Sequence, residues 1–464
     1  MARPKWVPVS CVAAILAISV IPAVAWAAVL HVALNADILS TDPGVLRDEN
    51  TDALLLHVAE GLVAPRHDGS IAPMLAQSWK VSPDGRTYTF ALRHGVTFHN
   101  GAPMTSADVV WSLRRYLSPA THWRCLGEFT DRGIARVVAI DAPDAYTVRV
   151  ALDRPAPLFL TTLARPDCGQ TAILQRASVG PDGRWRAPIG TGPFELAAWK
   201  RNQYIDLVRF PGYHPAAGPA DGDAGAKHAL VDEVRYEIIP DGSAAVAALL
   251  RGTLDILDGV APAELSLIRR DSRLRIEMSP TLDFYAVLLQ TRDPLLKNPC
   301  LRRAIALTID TAGLTKAITW GTAAPDDSAV PATSPYYGPV EARLRAPNVP
   351  LARKLLATCG YRGEPITLIA NHRYPMMFDA AVLVQAMAAQ AGIRMTIDTM
   401  DWASQLSHYL DGSYQAMVFA FSSKLDPSLN FMQLIGSKES DPRKVWDTPR
   451  ARSLLAASMA AADR

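Results

Sequence analysis

The stretch that most constrains this chain is residues 75–115, LAQSWKVSPDGRTYTFALRHGVTFHNGAPMTSADVVWSLRR. Trp79 and Val81 lead into Ser82-Pro83-Asp84-Gly85, a turn in which proline presets φ and glycine accepts a positive one. Behind it Tyr88, Phe90 and Leu92 alternate with Thr87, Thr89, Ala91 and Arg93. A period of two, rich in aromatic and β-branched residues, predicts a half-buried strand and, with the turn, a hairpin. Asn100-Gly101 marks a second turn. Thr105 stands three residues before Asp108, a capping-box start with aspartate in place of the usual glutamate. Val109, Leu113, Tyr116 and Leu117 then share one helical face. Taken singly, these residues describe scaffold and carry no chemistry.

Residues 1–27 read as a leader and not as fold. Arg3 and Lys5 form a short positive segment and residues 7–21 an apolar core. Ala25-Trp26-Ala27 supplies the small residues that signal peptidase requires, so cleavage is expected after Ala27. Pro22 interrupts the apolar run, which argues against an uncleaved anchor, and Pro8-Val9-Ser10 before Cys11 is a poor lipobox. No second segment has the length and apolarity to span a bilayer. The leader carries two basic residues, so its removal cancels the formal +2 of the whole chain. A neutral mature chain has no electrostatic attraction to nucleic acid or to an anionic membrane. Most of the 464 residues remain, more than one core organises, so two or three domains are expected.

Four cysteines follow the leader: Cys125, Cys168, Cys300 and Cys359. None forms a C-x-x-C, so neither a zinc ribbon nor a thioredoxin motif is indicated. An exported protein permits disulfides. Cys125 with Cys168, and Cys300 with Cys359, is the pairing to try first; four buried thiols are the alternative.

Strand patterns recur at residues 29–34, 146–152, 205–209, 234–239 and 285–290. Helices are read at 244–250, from Cys300, over 352–356, across Val382, Leu383 and Met387, and from Trp402 to Leu410. Residues 216–227 (AAGPADGDAGAK) read as a surface loop. Ile189-Gly190-Thr191-Gly192-Pro193-Phe194 lacks the Lys-Ser/Thr of a P-loop, and tight backbone packing accounts for its glycines better. There is no G-x-S-x-G and no H-E-x-x-H, and the ten histidines are dispersed, so an enzyme has no positive support.

The ungapped string from LAQSW through SPDGRTYTF and LRHGVTFHNG to the T-x-x-DVV-x-S helix closely resembles the signature of the bacterial extracellular solute-binding proteins of the peptide/nickel class (family 5). HVAEGLV at 57–63, Gly-Thr-Gly-Pro at 190–193, the helix opening Cys300-Leu301-Arg302-Arg303-Ala304-Ile305 and A-x-x-LL-x-x-x-GY at 352–361 match further elements of the family. The resemblance implies an α/β, two-lobe periplasmic binding protein-like fold of type II with an extra subdomain in lobe one. Lobe one would comprise 28–49 and 187–281, the inserted subdomain 50–186, and lobe two 282–464, with the strand near Tyr285 crossing the hinge. It further implies a periplasmic monomer without cofactor that captures a small polar solute or peptide-like ligand between its lobes. That ligand would pass unchanged to the permease subunits of an ABC importer at the inner membrane. A ligand-sensing partner of a membrane receptor and a secreted hydrolase are the competing readings. In the family a return crossing to lobe one follows lobe two. Here the helix begun at Asp447-Thr448-Pro449 ends the sequence, which the resemblance reads as a C-terminal truncation, with a naturally short member as the alternative.

Peptide-binding members carry W-x-x-D-x-x-D/E-P late in lobe two, and its first aspartate pairs with the ligand's ammonium. Residues 420–427 here are AFSSKLDP: Asp426-Pro427 matches, Ala420 replaces the tryptophan and Ser423 the aspartate. A hydrogen bond to a charged group contributes roughly 1.5–3 kcal/mol, and burying an ammonium without a counter-charge costs more. Unless another carboxylate substitutes, a free α-amino group should bind poorly. Lys424 either points toward an anionic or hydroxyl-rich ligand or is a solvated surface lysine, and Ser423 with Lys424 favours a small polar or anionic solute or a blocked peptide. Trp402 matches an aromatic that lines the family's pocket, or packs its lobe. Arg373, in His372-Arg373-Tyr374, stands where some members present a carboxylate-binding arginine, or is a surface arginine of that loop. The expected ligand contacts are therefore Tyr285, Arg373, Trp402, Ser423, Lys424 and Asp426, with no metal ligands.

Overall fold

The computed structural model describes residues 28–131, 133–279, 281–422 and 424–461; the leader and Ser423 lie outside the described residues. Strand β1 (Val29–Leu34) is followed by helix α1 (Glu49–Leu55) and a ribbon of β2 (Val63–Pro65) and β3 (Ile71–Pro73). Then come the hairpin β4 (Ala76–Val81) and β5 (Thr87–Leu92), helix α2 (Ser106–Tyr116), the hairpin β6 (Val137–Asp144) and β7 (Thr147–Leu152), and α3 (Phe159–Leu163). The chain continues through β8 (Phe194–Lys200), β9 (Tyr204–Arg209), β10 (Glu233–Ile238), α4 (Gly242–Arg251), β11 (Ile256–Leu257) and α5 (Leu265–Ile268). Its last third holds β12 (Phe284–Leu289), α6 (Pro299–Thr308), α7 (Thr311–Thr319), α8 (Val349–Cys359), β13 (Ile366–Ala370), α9 (Pro375–Gln390) and β14 (Met395–Thr399). Helix α10 (Trp402–Asp411), β15 (Ala416–Phe421), α11 (Pro427–Leu434) and α12 (Pro449–Ala460) complete it.

Three sheets organise these elements. The first runs β11-β1-β10-β9-β8, with β1 parallel to both its neighbours. Val32, Leu34, Ile205, Leu207 and Val234 form a core on one face, and Ala33 meets α4 on the other. The second sheet, β4-β5-β7-β6, is antiparallel, and its inner face packs Phe90, Leu92, Val148 and Val150 against Val109, Leu113 and Tyr116 of α2. The alternation read over residues 87–92 appears as strict alternation of burial along β5. The reciprocal capping box of Thr105 and Asp108 is formed at the start of α2. The third sheet, β12-β15-β13-β14, is covered on one face by α6, α8 and α9 and on the other by α10 with an aromatic cluster. Lobe one is the first sheet with the second as its subdomain; lobe two is built on the third. Disulfides join Cys125 to Cys168 within the subdomain, and Cys300 of α6 to Cys359 of α8. Loops of 43 and 59 residues imply about 4 kcal/mol from each through the chain entropy of the unfolded state.

Three expectations shift. Leu54, Leu55 and Val58 pack into the core of the first sheet, so α1 belongs to lobe one and the insertion begins after it, not at residue 50. At the other end, Leu429 of α11 is fully buried in the subdomain's core, and Met432 and Met459 pack against the same cluster, so residues 282–464 are not one packing unit. In α9 the buried face is Met377, Ala380, Ala381, Val384 and Ala388, while Val382 is exposed. An alanine-lined face lets the helix approach the sheet closely, and that closeness outweighs the larger apolar residues beside it.

Candidate functional site

Both lobes turn a topological switch point toward each other. In lobe one, β1 lies between its parallel neighbours β10 and β11. In lobe two, β13 is flanked by β14 and β15 in the same way. Crevices at the carboxyl ends of such strands are where open α/β sheets bind ligands. Residues 35–48 follow β1; residues 371–374, 400–402 and 422–426 follow β13, β14 and β15. Helix caps hold these loops. Asp48 caps α1, Asp401 caps α10, and Asp426 accepts from Ser428 N at 2.8 Å to cap α11. Asn371 accepts from Tyr374 N at 3.0 Å and donates to Gln405 Oε1 at 2.7 Å, which fixes the loop that carries Arg373.

The lobes touch through charged groups. Arg373 of lobe two donates to Asp48 Oδ2 at 2.6 Å. Lys424 of lobe two donates to Asp167 Oδ2 of the subdomain at 2.9 Å. Arg47 NH1 lies 3.4 Å from Ser422 Oγ, and Arg124 NH2 lies 3.4 Å from Gln433 Oε1. Burial pushes the Asp52 carboxyl up to about 7, which its ion pair with Arg47 offsets only in part. Burial also pushes on Asp167, but Arg165 and Lys424 beside it outweigh that and hold it well below the usual carboxylate range. Glu49, in the first turn of α1, is raised by the protein crowding round it and then by Asp283 and Asp258. The Tyr285 phenol is raised by the same crowding, with Asp283, Glu49 and Tyr374 in electrostatic reach. Carboxylates of lobe one thus face the aromatic wall of lobe two.

The six expected contacts divide. Tyr285 lies on β12 opposite Ala420, exposed and within reach of Glu49 and Tyr374. Trp402 packs its lobe by stacking on Phe419 at 5.5 Å, and it meets Tyr374 edge-on at 5.2 Å. Among the described residues, neither its buried indole Nε1 nor the buried Arg373 Nε has a hydrogen-bond partner. Such atoms in a cleft are satisfied by whatever enters it, solute or water. Arg373 binds a carboxylate, but that of Asp48. One expectation is corrected. Lys424 is neither solvated nor an anion-facing cation: it is buried, and its ammonium is taken up by Asp167 and by the Ser422 carbonyl at 3.1 Å. Asp426 caps α11 through Oδ1. Ser423 lies outside the described residues. Sequence reasoning passed over Arg47, Asp48, Glu49 and Asp167. No local pattern marks their cross-lobe contacts: Arg47 reaches Ser422, Asp48 reaches Arg373 and Asp167 reaches Lys424, each more than 250 residues away. Among the described residues, no group of three or more His, Cys, Asp or Glu is placed to hold a metal ion, and no helix is long and apolar enough to cross a membrane.

Comparison with known proteins follows the same line. The chain matches the model of the bacterial extracellular solute-binding proteins, family 5 (middle region), over residues 70–442. It is 26% identical to the glutathione-binding protein GsiB of Escherichia coli over 395 residues, 83% of this chain and 72% of that one. It superposes on the binding protein AgaA of A. tumefaciens in complex with agropinic acid with a TM-score of 0.79 and 27% identity, covering 94% of this chain and 86% of that one. The ABC transporter-associated periplasmic binding protein DppA of Helicobacter pylori, in complex with the peptide STSA, gives 0.82 and 26%, covering 94% and 87%.

Proposed function

The chain belongs to the bacterial extracellular solute-binding proteins of family 5, and from that premise we propose that it captures a small peptide-like solute bearing a free ammonium group between its lobes. The receptor then hands the solute, chemically unchanged, to the permease of an ABC importer. Periplasmic residence after removal of the leader, and action as a monomer without nucleic acid, are part of the same proposal.

The ligand class rests on the charge that faces the cleft once the cross-lobe pairs are counted. Arg373, Arg47 and Lys424 each have a protein carboxylate as partner. That removes the reason to expect an anionic ligand. Glu49 stands in the field of Asp283, Asp258 and Asp48, which Arg47 offsets only in part, with the rings of Tyr285 and Tyr374 within reach. A ligand ammonium relieves this repulsion and finds aromatic faces beside it. Glu49 therefore takes the part that Ser423 cannot take. The names of two relatives support a peptide-like class: glutathione for GsiB and a peptide for DppA.

Mass spectrometry of small molecules released from the purified protein identifies the natural solute directly. Calorimetry with glutathione, agropinic acid and the peptide STSA tests the class. A free amine should be required, so N-acetylation of a bound peptide and Glu49→Gln should each weaken binding by about tenfold, near 1.4 kcal/mol. Equal affinity for the acetylated form would exclude the ammonium reading and leave the solute receptor intact.

A further inference from the structure

One polar contact between the lobes lies in the subdomain, at a chain of four buried charges. Glu128 accepts both carboxylate contacts from Arg165 NH1 at 2.5 Å. Arg165 Nε and NH2 donate to Asp167 Oδ1 and Oδ2 at 2.9 and 2.7 Å. Asp167 Oδ2 then accepts from Lys424 of lobe two. The side chains are 7%, 1%, 4% and 4% exposed in that order. Lys424 is the one member of this chain of charges that belongs to the other lobe.

The subdomain's half of this chain is preorganised. Cys168, next to Asp167, is bonded to Cys125, and Glu128 follows three residues after Cys125. Trp123 Nε1 donates to the Cys168 carbonyl at 2.9 Å. Gly169, Gln170 and Thr171 are all left-handed, with φ of 65°, 48° and 46°. For two residues with side chains that conformation is uncommon and persists only where the surroundings over-determine it. Gly169 has no room for a Cβ, which would lie 2.7 Å from the Gly44 nitrogen. Arg165 and Asp167 are thus held in place whether or not lobe two is near, and Arg165 keeps Asp167 ionised.

We infer that the subdomain is a latch for the closed state: the Cys125–Cys168 disulfide holds Arg165 and Asp167 as a rigid hook that catches the Lys424 ammonium when the lobes close. An acceptor built in advance makes the bond without the ordering cost that usually cancels an ion pair. On opening, Lys424 returns to water and Asp167 keeps its bidentate pair with Arg165, so neither lobe is left with an unpaired buried charge. Removing the ammonium should therefore spare the fold and shift the lobes.

Small-angle scattering of protein stripped of small molecules by unfolding and refolding tests this. Lys424→Met should melt as a cooperative unit and show a larger radius of gyration than the parent. Arg275→Met, which removes the exposed pair of Arg275 with Glu277, is the control and should change nothing. A folded Lys424→Met protein with the parent's radius overturns the latch. Loss of folding overturns it equally, because it would make Lys424 a folding requirement of its own lobe. As a second measurement, Lys424→Met should speed dissociation of glutathione or the peptide STSA, whichever binds, by about tenfold; an unchanged rate also counts against the latch.

Discussion

Asp48 shows how one side chain can serve two levels of structure. Its Oδ1 accepts from Thr51 N at 2.9 Å and so caps α1, while Oδ2 takes Arg373 from the other lobe. Two substitutions separate these roles. Asp48→Asn keeps an oxygen for the cap and loses the charge. Its melting should stay within about 0.5 kcal/mol of the parent, because asparagine caps as well as aspartate. Asp48→Ala loses the cap too and should cost about 1 kcal/mol more in denaturant titration. Both should favour open lobes in scattering, since Arg373 then rehydrates. Equal stability of the two variants would show that the cap contributes nothing.

The turn from Ile189 to Phe194 illustrates the element scale. A Cβ on Gly190 would lie 2.2 Å from the Val58 carbonyl oxygen, and one on Gly192 would lie 2.4 Å from that of His57. The glycines are there for close backbone approach, as the absence of a P-loop lysine implies. His99 completes the turn, with Nε2 3.1 Å from the Gly192 carbonyl and Nδ1 buried without a partner. Burial draws its pKa down to about 4, below the 6.5 of an unfolded histidine. Between these values the unfolded chain takes up a proton that the native protein refuses. The stability contributed by neutral His99 is therefore whole above pH 6.5 and lost as pH falls to 4, by no more than about 3 kcal/mol. Denaturant titrations at pH 7, 5.5 and 4.5 should show this slope, and His99→Gln should flatten it. An unchanged slope would assign the acid sensitivity to other groups.

For the whole molecule, the packing of α11 and α12 on the subdomain makes lobe one and lobe two mechanically dependent. Leu429 is the buried centre of that contact. Leu429→Ala should cost about 2–5 kcal/mol. Amide exchange should rise in β5 and β7 of the subdomain as well as in α11. If exchange rises in α11 alone, the subdomain's core does not depend on lobe two.

Local order was legible from the residues alone. The hairpin of β4 and β5, the capping box of α2 and the strand at Val29–Leu34 arise from periodicities and caps that act over a few residues, and those forces survive in any context. The family resemblance extended that reading to two lobes and a solute between them. Burial was less legible where small residues decide it, as on α9. The site was least legible. The residues after β13 and β14 were named, yet the partners that define their chemistry were not. Arg373 stands 325 positions from Asp48, and Lys424 stands 257 from Asp167. A lysine in a sequence is a cation with an unspecified neighbour. Only the tertiary fold sets the neighbour, and at these distances the neighbour decides whether the charge meets a ligand, water or the other lobe.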